Sequence, residues 1–274
     1  QSLAGRAMIF SLLPFSISEL KAAEKLPEKY EEIMIQGFYP RIHDQKPDSY
    51  SWLQSYIQTY LERDVREIIN VKDLGKFQLM LRLCAGRTGQ LINYNALANE
   101  VGVDNKTIKS WLSVLESSYI IFLLPPYFKN FNKRLVKTPK LYFYDTGLVC
   151  ALLEIRTKNQ LDVHFLKGAL FENMMIAELH KMRFNQGVRQ MFYFWRDNTG
   201  NEIDCLFEKD ATTIPIEIKS SRTFNTTFLK GLRYWRKISG SDSPSWIIYA
   251  GELEQKRDHI KVVNWQNLKT IIDE

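Results

Sequence analysis

Two short stretches near the C-terminal end constrain this chain most: Glu202-Ile203-Asp204-Cys205-Leu206-Phe207 and, after a spacer, Ile216-Glu217-Ile218-Lys219-Ser220-Ser221. Both are rich in apolar, β-branched and aromatic residues, which predicts buried strands. Each nevertheless carries charge where a central strand seldom does. Side chains alternate faces along a strand, so Glu217 and Lys219 point one way and Ile216 and Ile218 the other. A carboxylate and an ammonium side by side, with Asp204 on the preceding strand, suit a divalent metal and an activated water.

At 274 residues the chain has room for roughly two domains. With 45% hydrophobic and 25% charged residues it has a globular composition. No apolar run approaches the roughly 18 residues of a membrane span, and the start does not resemble a signal peptide. Cys84, Cys150 and Cys205 lie far apart with no CxxC or Cys/His cluster, which predicts a reducing, cytoplasmic setting and no structural zinc. The net charge of +6 favours polyanionic partners only mildly.

Residues 1–20 read as the tail of a preceding domain: a strand in Met8–Phe15, then a helix near Glu19 capped by Ser16 or Ser18. The missing initiator Met fits a fragment or processed product. Residues 21–72 are expected to be a helical connector, with helices over 28–39 and 50–70 broken at Gly37-Phe38-Tyr39-Pro40-Arg41.

Residues 73–145 predict a helix-turn-helix followed by a hairpin, that is, a winged helix. Its helices run over Leu74–Ala85, Asn95–Glu100 and, capped by Asp104, to Ser117, with Gly102 at the turn. Ile108, Trp111, Leu112 and Leu115 form the inward stripe of the last helix, and strands Tyr119–Leu124 and Lys140–Tyr144 the hairpin. Residues 146–164 read as a linker. Residues 165–274 predict a helix over Lys167–Phe184, strands over 192–196, 202–208 and 213–219, a helix over Thr226–Ile238, and a strand over 245–250.

Two sets of residues carry candidate chemistry. Asn105, Lys106, Lys109, Ser110 and Ser113 on the outward face of the capped helix are short polar or basic groups suited to base edges and phosphates. The loop from Pro125 to Lys140 adds Lys129, Lys133, Arg134, Lys137 and Lys140 without an acid, interleaved with Tyr127, Phe128 and Phe131. A protein-binding adaptor with a solvated basic loop is the alternative. In the last unit, Glu172 shares a helix face with Met175, Ile176 and Leu179, where a carboxylate is costly unless paired or metal-bound. With Asp204 and Glu217 it would hold Mg²⁺ or Mn²⁺, and Lys219 would orient the water or stabilise the transition-state charge. The alternative is a Glu217–Lys219 ion pair with Glu172 at the helix edge. There is no G-x-x-x-x-G-K-[ST], and His43, His164, His180 and His259 have no metal-ligand spacing.

Glu172, Asp204 and Glu217-Ile218-Lys219, on helix, strand, strand, strand, helix and strand, resemble the PD-(D/E)xK nuclease superfamily over residues 165–251, with Ile203 in place of the proline. The whole chain looks like the C-terminal region of a prokaryotic AAA+-type ATPase family with a conserved domain of unknown function. Ala4-Gly5-Arg6, Leu12–Leu20, Gly37–Arg41, Tyr60–Val65, Leu141–Leu148, Gly168–Asn173 and Glu217–Ser221 carry that resemblance. The expected fold is therefore mixed α and α/β: a helical connector and a winged helix-turn-helix, then a restriction-endonuclease-like α/β domain. The expected function is DNA binding with Mg²⁺-dependent phosphodiester cleavage; the family resemblance implies an upstream ATPase domain holding the ATP site and no known substrate. A protein partner or homo-oligomer is a further expectation. The rival is a non-catalytic DNA- or protein-binding module built on an inactive nuclease fold.

Overall fold

The structure is a computed structural model describing residues 6, 11–60, 73–128, 136–188, 192–209 and 212–273. The first helices follow from local capping and breaking signals. In α1 (Ile17–Ala22) the Ser16 hydroxyl accepts from the Glu19 amide and the Glu19 carboxylate accepts from the Ser16 amide, a reciprocal cap. After α2 (Tyr30–Gln36) the Gly37-Phe38-Tyr39-Pro40 break does not simply interrupt a helix: Pro40 opens a further short one, α3 (Pro40–Gln45). α4 begins at Ser49 and is described to Tyr60, so the rest of the helix expected to reach residue 70 lies outside the described residues. So do the first three residues of the expected Met8–Phe15 strand, whose described part, Ser11 to Phe15, is not a strand.

Three helices follow with nearly the expected limits: α5 (Leu74–Ala85), α6 (Tyr94–Val101) and α7 (Asn105–Ser117). Gly102 sits at φ 71°, ψ 45°, where a side chain would be strained, and the Asp104 carboxylate caps α7 through the Thr107 amide at 2.7 Å. Ile108, Trp111, Leu112 and Leu115 are all buried. β1 (Ile121–Leu124) and β2 (Lys140–Phe143) pair antiparallel in the register Ile121 with Phe143.

The stretch expected as a linker carries two helices, α8 (Thr146–Leu152) and α9 (Lys158–Val163). Every residue of α8 is buried, so its sequence has no polar face and hence no helical periodicity to read. α10 (Lys167–Asn185) is buried on nearly all sides from Leu170 to Met182, not along a single stripe. The remaining elements are β3 (Phe192–Arg196), β4 (Glu202–Lys209), β5 (Thr212–Lys219), a 3-10 turn (Thr226–Phe228) and α11 (Leu229–Ser239). β6 (Ser245–Tyr249), β7 (Gln255–Arg257), β8 (Ile260–Asn264) and α12 (Lys269–Asp273) complete the chain.

Apart from the β1–β2 pair, the strands make one mixed sheet in the order β3-β4-β5-β6-β8-β7. β3, β4 and β5 are antiparallel neighbours, and β5, β6 and β8 run parallel. α10 packs on one face with Cys205, Phe207, Ile216 and Ile218, and α11 covers the other through Leu229, Leu232 and Trp235 against Ile203, Leu206 and Ile247. The first of these cores runs without a break from Ile17 to Ile272, so the helical half and the sheet share one interior.

Two strapping arrangements join the halves. Phe194 of β3 donates to Pro125 O and accepts from the Tyr127 amide, and the Val136 amide donates to Arg196 O, so both ends of the β1–β2 connection are tied along the β3 edge. Asn173 of α10, fully buried, accepts from the Phe143 amide at 2.8 Å, donates to Phe143 O at 2.7 Å and receives the Thr88 hydroxyl at 2.5 Å.

One buried group gives a direct test of this interior. His180 of α10 lies against Phe122 and Phe192, with neither ring nitrogen bonded among the described residues, and burial lowers its pKa to about 3. Between pH 6.5 and 3 the unfolded chain therefore takes up a proton the native state refuses, and stability falls as pH falls. His180→Phe should remove this loss. Its advantage over the parent should grow by about 2 kcal/mol on going from pH 7 to pH 5, read by urea unfolding at both pH values. An advantage independent of pH would mean the imidazole is not held neutral.

Candidate active site

The two charged strands meet, with β5 alternating as expected and β4 departing from strict alternation: Ile203 and Leu206 both face α11, and the register to β3 shifts between them. Ladder pairing between β4 and β5 reaches Cys205 opposite Ile216, and one step further the Asp204 carboxylate takes the place of a backbone acceptor, receiving the Ile218 amide at 2.8 Å. Glu217 faces α11 at Gly231, and the Lys219 ammonium joins it to Asp204, donating to Asp204 Oδ2 at 3.1 Å and Glu217 Oε2 at 2.6 Å. Glu172 approaches from α10, and all four line one cleft of about 720 Å³.

The cleft also holds residues that sequence reasoning did not place there. Lys140, grouped with the solvated basic loop from the sequence, is instead 4% exposed. It pairs with Glu172 at 3.1 Å and with Glu202, so it is not available to a phosphate backbone. The Tyr142 hydroxyl donates to the same Glu172 oxygen at 2.5 Å. Glu202 also meets Arg196 at 3.4 Å. The sequence signal for Lys140 is the one used for Lys219: a lysine beginning or ending an otherwise apolar strand. On the far wall, a Cβ on Gly231 would collide with Glu217 Oε1 and sit 3.1 Å from Glu202 O, so only glycine lets α11 lie this close to the acids.

Four carboxylates thus share two lysines and one arginine in a poorly solvated space. Burial pushes the Glu217 carboxyl well above the usual range, and the Asp204 charge pushes it further. Burial also raises Glu172, against the pull of Lys140. For Asp204 burial is outweighed by Lys219, Lys140 and the Ile218 amide, which hold its carboxyl low. Burial would lower both lysines, yet the surrounding acids hold them above their usual range. Asp204 therefore carries the negative charge, and Glu217 is the group driven towards its neutral form.

The donor chemistry fits a hard divalent cation: oxygen ligands, negative charge crowded out of water, and a carboxyl that more positive charge would ionise. As placed, however, the carboxylate oxygens face lysines. Among the described residues no three Asp, Glu, His or Cys side chains form a ready metal-ligating group.

The expected nucleic-acid residues lie elsewhere. Lys106, Lys109, Ser110 and Ser113 are exposed on α7. Asn105 is half-buried and donates to Asn95, while Lys109 lies 5.5 Å from the Tyr94 ring centre. Lys137 is exposed, and none of these lines the cleft. Lys129, Lys133, Arg134 and Phe131 fall outside the described residues. Tyr127, grouped with the loop aromatics from the sequence, packs against Tyr193 and Trp235 and bonds Thr213 at 3.1 Å, while Phe128 is exposed. Among the described residues no helix is long and apolar enough to cross a membrane.

Comparison with known proteins finds relatives without assigned activity. Over 225 residues the chain is 26% identical to an uncharacterised protein of Mycobacterium tuberculosis and, equally, to one of Mycobacterium bovis. Each match covers 81% of this chain and 49% of the relative, so the chain spans about half the length of these curated relatives. An uncharacterised protein of Methanocaldococcus jannaschii is 26% identical over 113 residues, which is 40% of this chain and 24% of that protein. Two families, each described as a domain of unknown function, match in succession: DUF8612 over residues 27–159 and DUF4143 over residues 167–268. Lys140 and Tyr142 fall in the first match and Glu172, Glu202, Asp204, Glu217 and Lys219 in the second, so the chain is similar to both families and its cleft is assembled from both.

Proposed function

We propose that the cleft is a metal-dependent phosphodiesterase site acting on DNA, in the manner of the PD-(D/E)xK nucleases. The observation that carries this is the convergence of Glu172, Asp204, Glu217 and Lys219, from one helix and two strands, on a single cleft. Glu172, Asp204 and Glu217 would hold Mg²⁺ or Mn²⁺, which when bound polarises a phosphate and lowers the pKa of a water. Lys219, freed from its acids, places a positive charge where a phosphoryl oxygen gains negative charge. α6 and α7 with the β1–β2 hairpin would act as a winged helix, with Lys106, Lys109, Ser113 and Lys137 on DNA phosphates and Asn105 at base edges. Because the curated relatives are about twice as long, control by an upstream ATP-binding domain belongs to the same proposal.

The test is cleavage of single-stranded, duplex and branched DNA with Mg²⁺ or Mn²⁺, using the full-length protein. Lys219→Ala, checked for folding by circular dichroism, should lower the rate at least about a hundredfold. Equal cleavage by parent and variant, or none by the parent, overturns the assignment. One observation favours a second reading, a DNA- or protein-binding module on an inactive nuclease fold: Lys140 and Lys219 already neutralise much of the acid cluster. That reading predicts no Mn²⁺ heat in calorimetry that depends on Asp204 and Glu217.

A further inference from the structure

α11 is the most one-sided helix of the sheet domain. Leu229, Leu232 and Trp235 are buried against the sheet, while Lys230, Arg233 and Lys237 are exposed. The spacing i, i+3, i+7 puts these three cations in one row along the helix. None of them has an acidic partner within 4.0 Å among the described residues, whereas neighbouring Arg236 pairs with Asp242 at 2.7 Å. Unpaired like charges at helical spacing repel one another, and only Lys237, in the last turn, gains from the helix dipole.

The row also has a fixed beginning. Lys230 lines the carboxylate cleft, and the adjacent Gly231 is the position that lets the helix abut Glu217. From Lys230 to Lys237 the helix rises about 10 Å, and one strand of a duplex advances about 3.4 Å per nucleotide, so the row spans roughly three nucleotide steps. Thr227 and Phe228, at the lip of the cleft, precede it.

We propose that the exposed face of α11 is a phosphate track: Lys230, Arg233 and Lys237 hold successive phosphates of a nucleic-acid strand and lead its backbone into the cleft. This surface is separate from α7, and it deepens the phosphodiesterase proposal, on which it rests for the identity of the ligand. Its contacts are to phosphates, so binding through it is independent of base sequence and sensitive to salt.

The experiment measures affinity for a single-stranded and a duplex oligonucleotide at several salt concentrations, with EDTA present so that cleavage does not enter. Lys230→Glu, Arg233→Glu and Lys237→Glu combined should weaken binding at least tenfold and reduce the salt slope by about 2–3. A control with the same change in net charge, Lys21→Glu, Lys25→Glu and Lys46→Glu, alters exposed residues of the N-terminal helical region that do not line the cleft and should change affinity much less. Arg233→Glu alone, at an exposed position, supplies a milder version if the triple variant proves unstable. The proposal is overturned if the two triple variants weaken binding equally, if the α11 variant binds as the parent does, or if the parent binds neither oligonucleotide. Binding that depends on α11 without any cleavage by the full-length protein would remove the catalytic assignment and leave the track standing.

Discussion

Lys140→Met is expected to lower the unfolding free energy by about 3–5 kcal/mol, the cost of removing one partner from a buried ion pair. The ammonium is nearly inaccessible and serves two carboxylates, Glu172 and Glu202, that are themselves 18% and 23% exposed. Methionine fills much the same volume, so the loss is electrostatic rather than steric. Without Lys140, Glu172 would keep only the Tyr142 hydroxyl, in a cleft where Asp204 and Glu217 already crowd it. A double-mutant cycle separates the pair from its surroundings. Glu172→Gln should recover a substantial part of the loss in the Lys140→Met background and cost stability in the parent, with both measured by urea unfolding. Strict additivity would show that the pair is not coupled.

A still larger effect is expected where two glycines touch. Gly37, at φ +81°, ends α2, and Gly147 is the second residue of α8, two beyond the capping Asp145. A Cβ on Gly147 would lie 2.5 Å from Gly37 Cα and 2.6 Å from Gly37 N, both backbone atoms with no rotamer to give way. The surroundings resist a backbone shift as well. The Asp145 carboxylate receives the Phe38 amide at 2.6 Å and the Leu148 amide at 2.8 Å, and His43 Nε2 bonds Gly37 O at 2.8 Å. Gly147→Ala should therefore destabilise by more than about 4 kcal/mol or prevent folding, beyond ordinary overpacking. Gly168→Ala is the control: its Cβ would meet only Ser220 Oγ at 3.9 Å, in the first turn of α10. That change should be neutral or stabilising by up to about 1 kcal/mol. Similar melting temperatures for the two variants would contradict the glycine contact.

What the sequence disclosed and what it hid divide along physical lines. Asp104, Gly102 and the Ile108–Leu115 stripe act within a few residues of one another, so the α6–α7 turn was legible, as was the common face of Glu217 and Lys219. Asp204 was legible too, because a carboxylate in an apolar strand has few other uses. α8 was hidden because burial on every side erases the polar half of the pattern. β7 was hidden for the opposite reason: Gln255-Lys256-Arg257 is an edge strand with no buried residue. Lys140 was misplaced because its partner Glu172 is 32 residues away, while its local company was all basic. Charge density along a chain describes a neighbourhood, and only the fold decides which lysine in that neighbourhood is drawn inside.

Asn173 also has a bearing on how this chain can be taken apart. It sits just past the boundary between the two matched segments and does for β2 what another strand would, satisfying both the N–H and the C=O of Phe143. A cut near residue 165 would thus leave the first piece with an unmet peptide group and an unpaired cation, and the second with surplus acids and a bare apolar helix. Neither piece is a self-sufficient module. The two sequence families meet at a seam in the chain, not in the fold, and exchanging one half for that of a relative would succeed only if positions 140, 172, 173 and 202 were exchanged as a set.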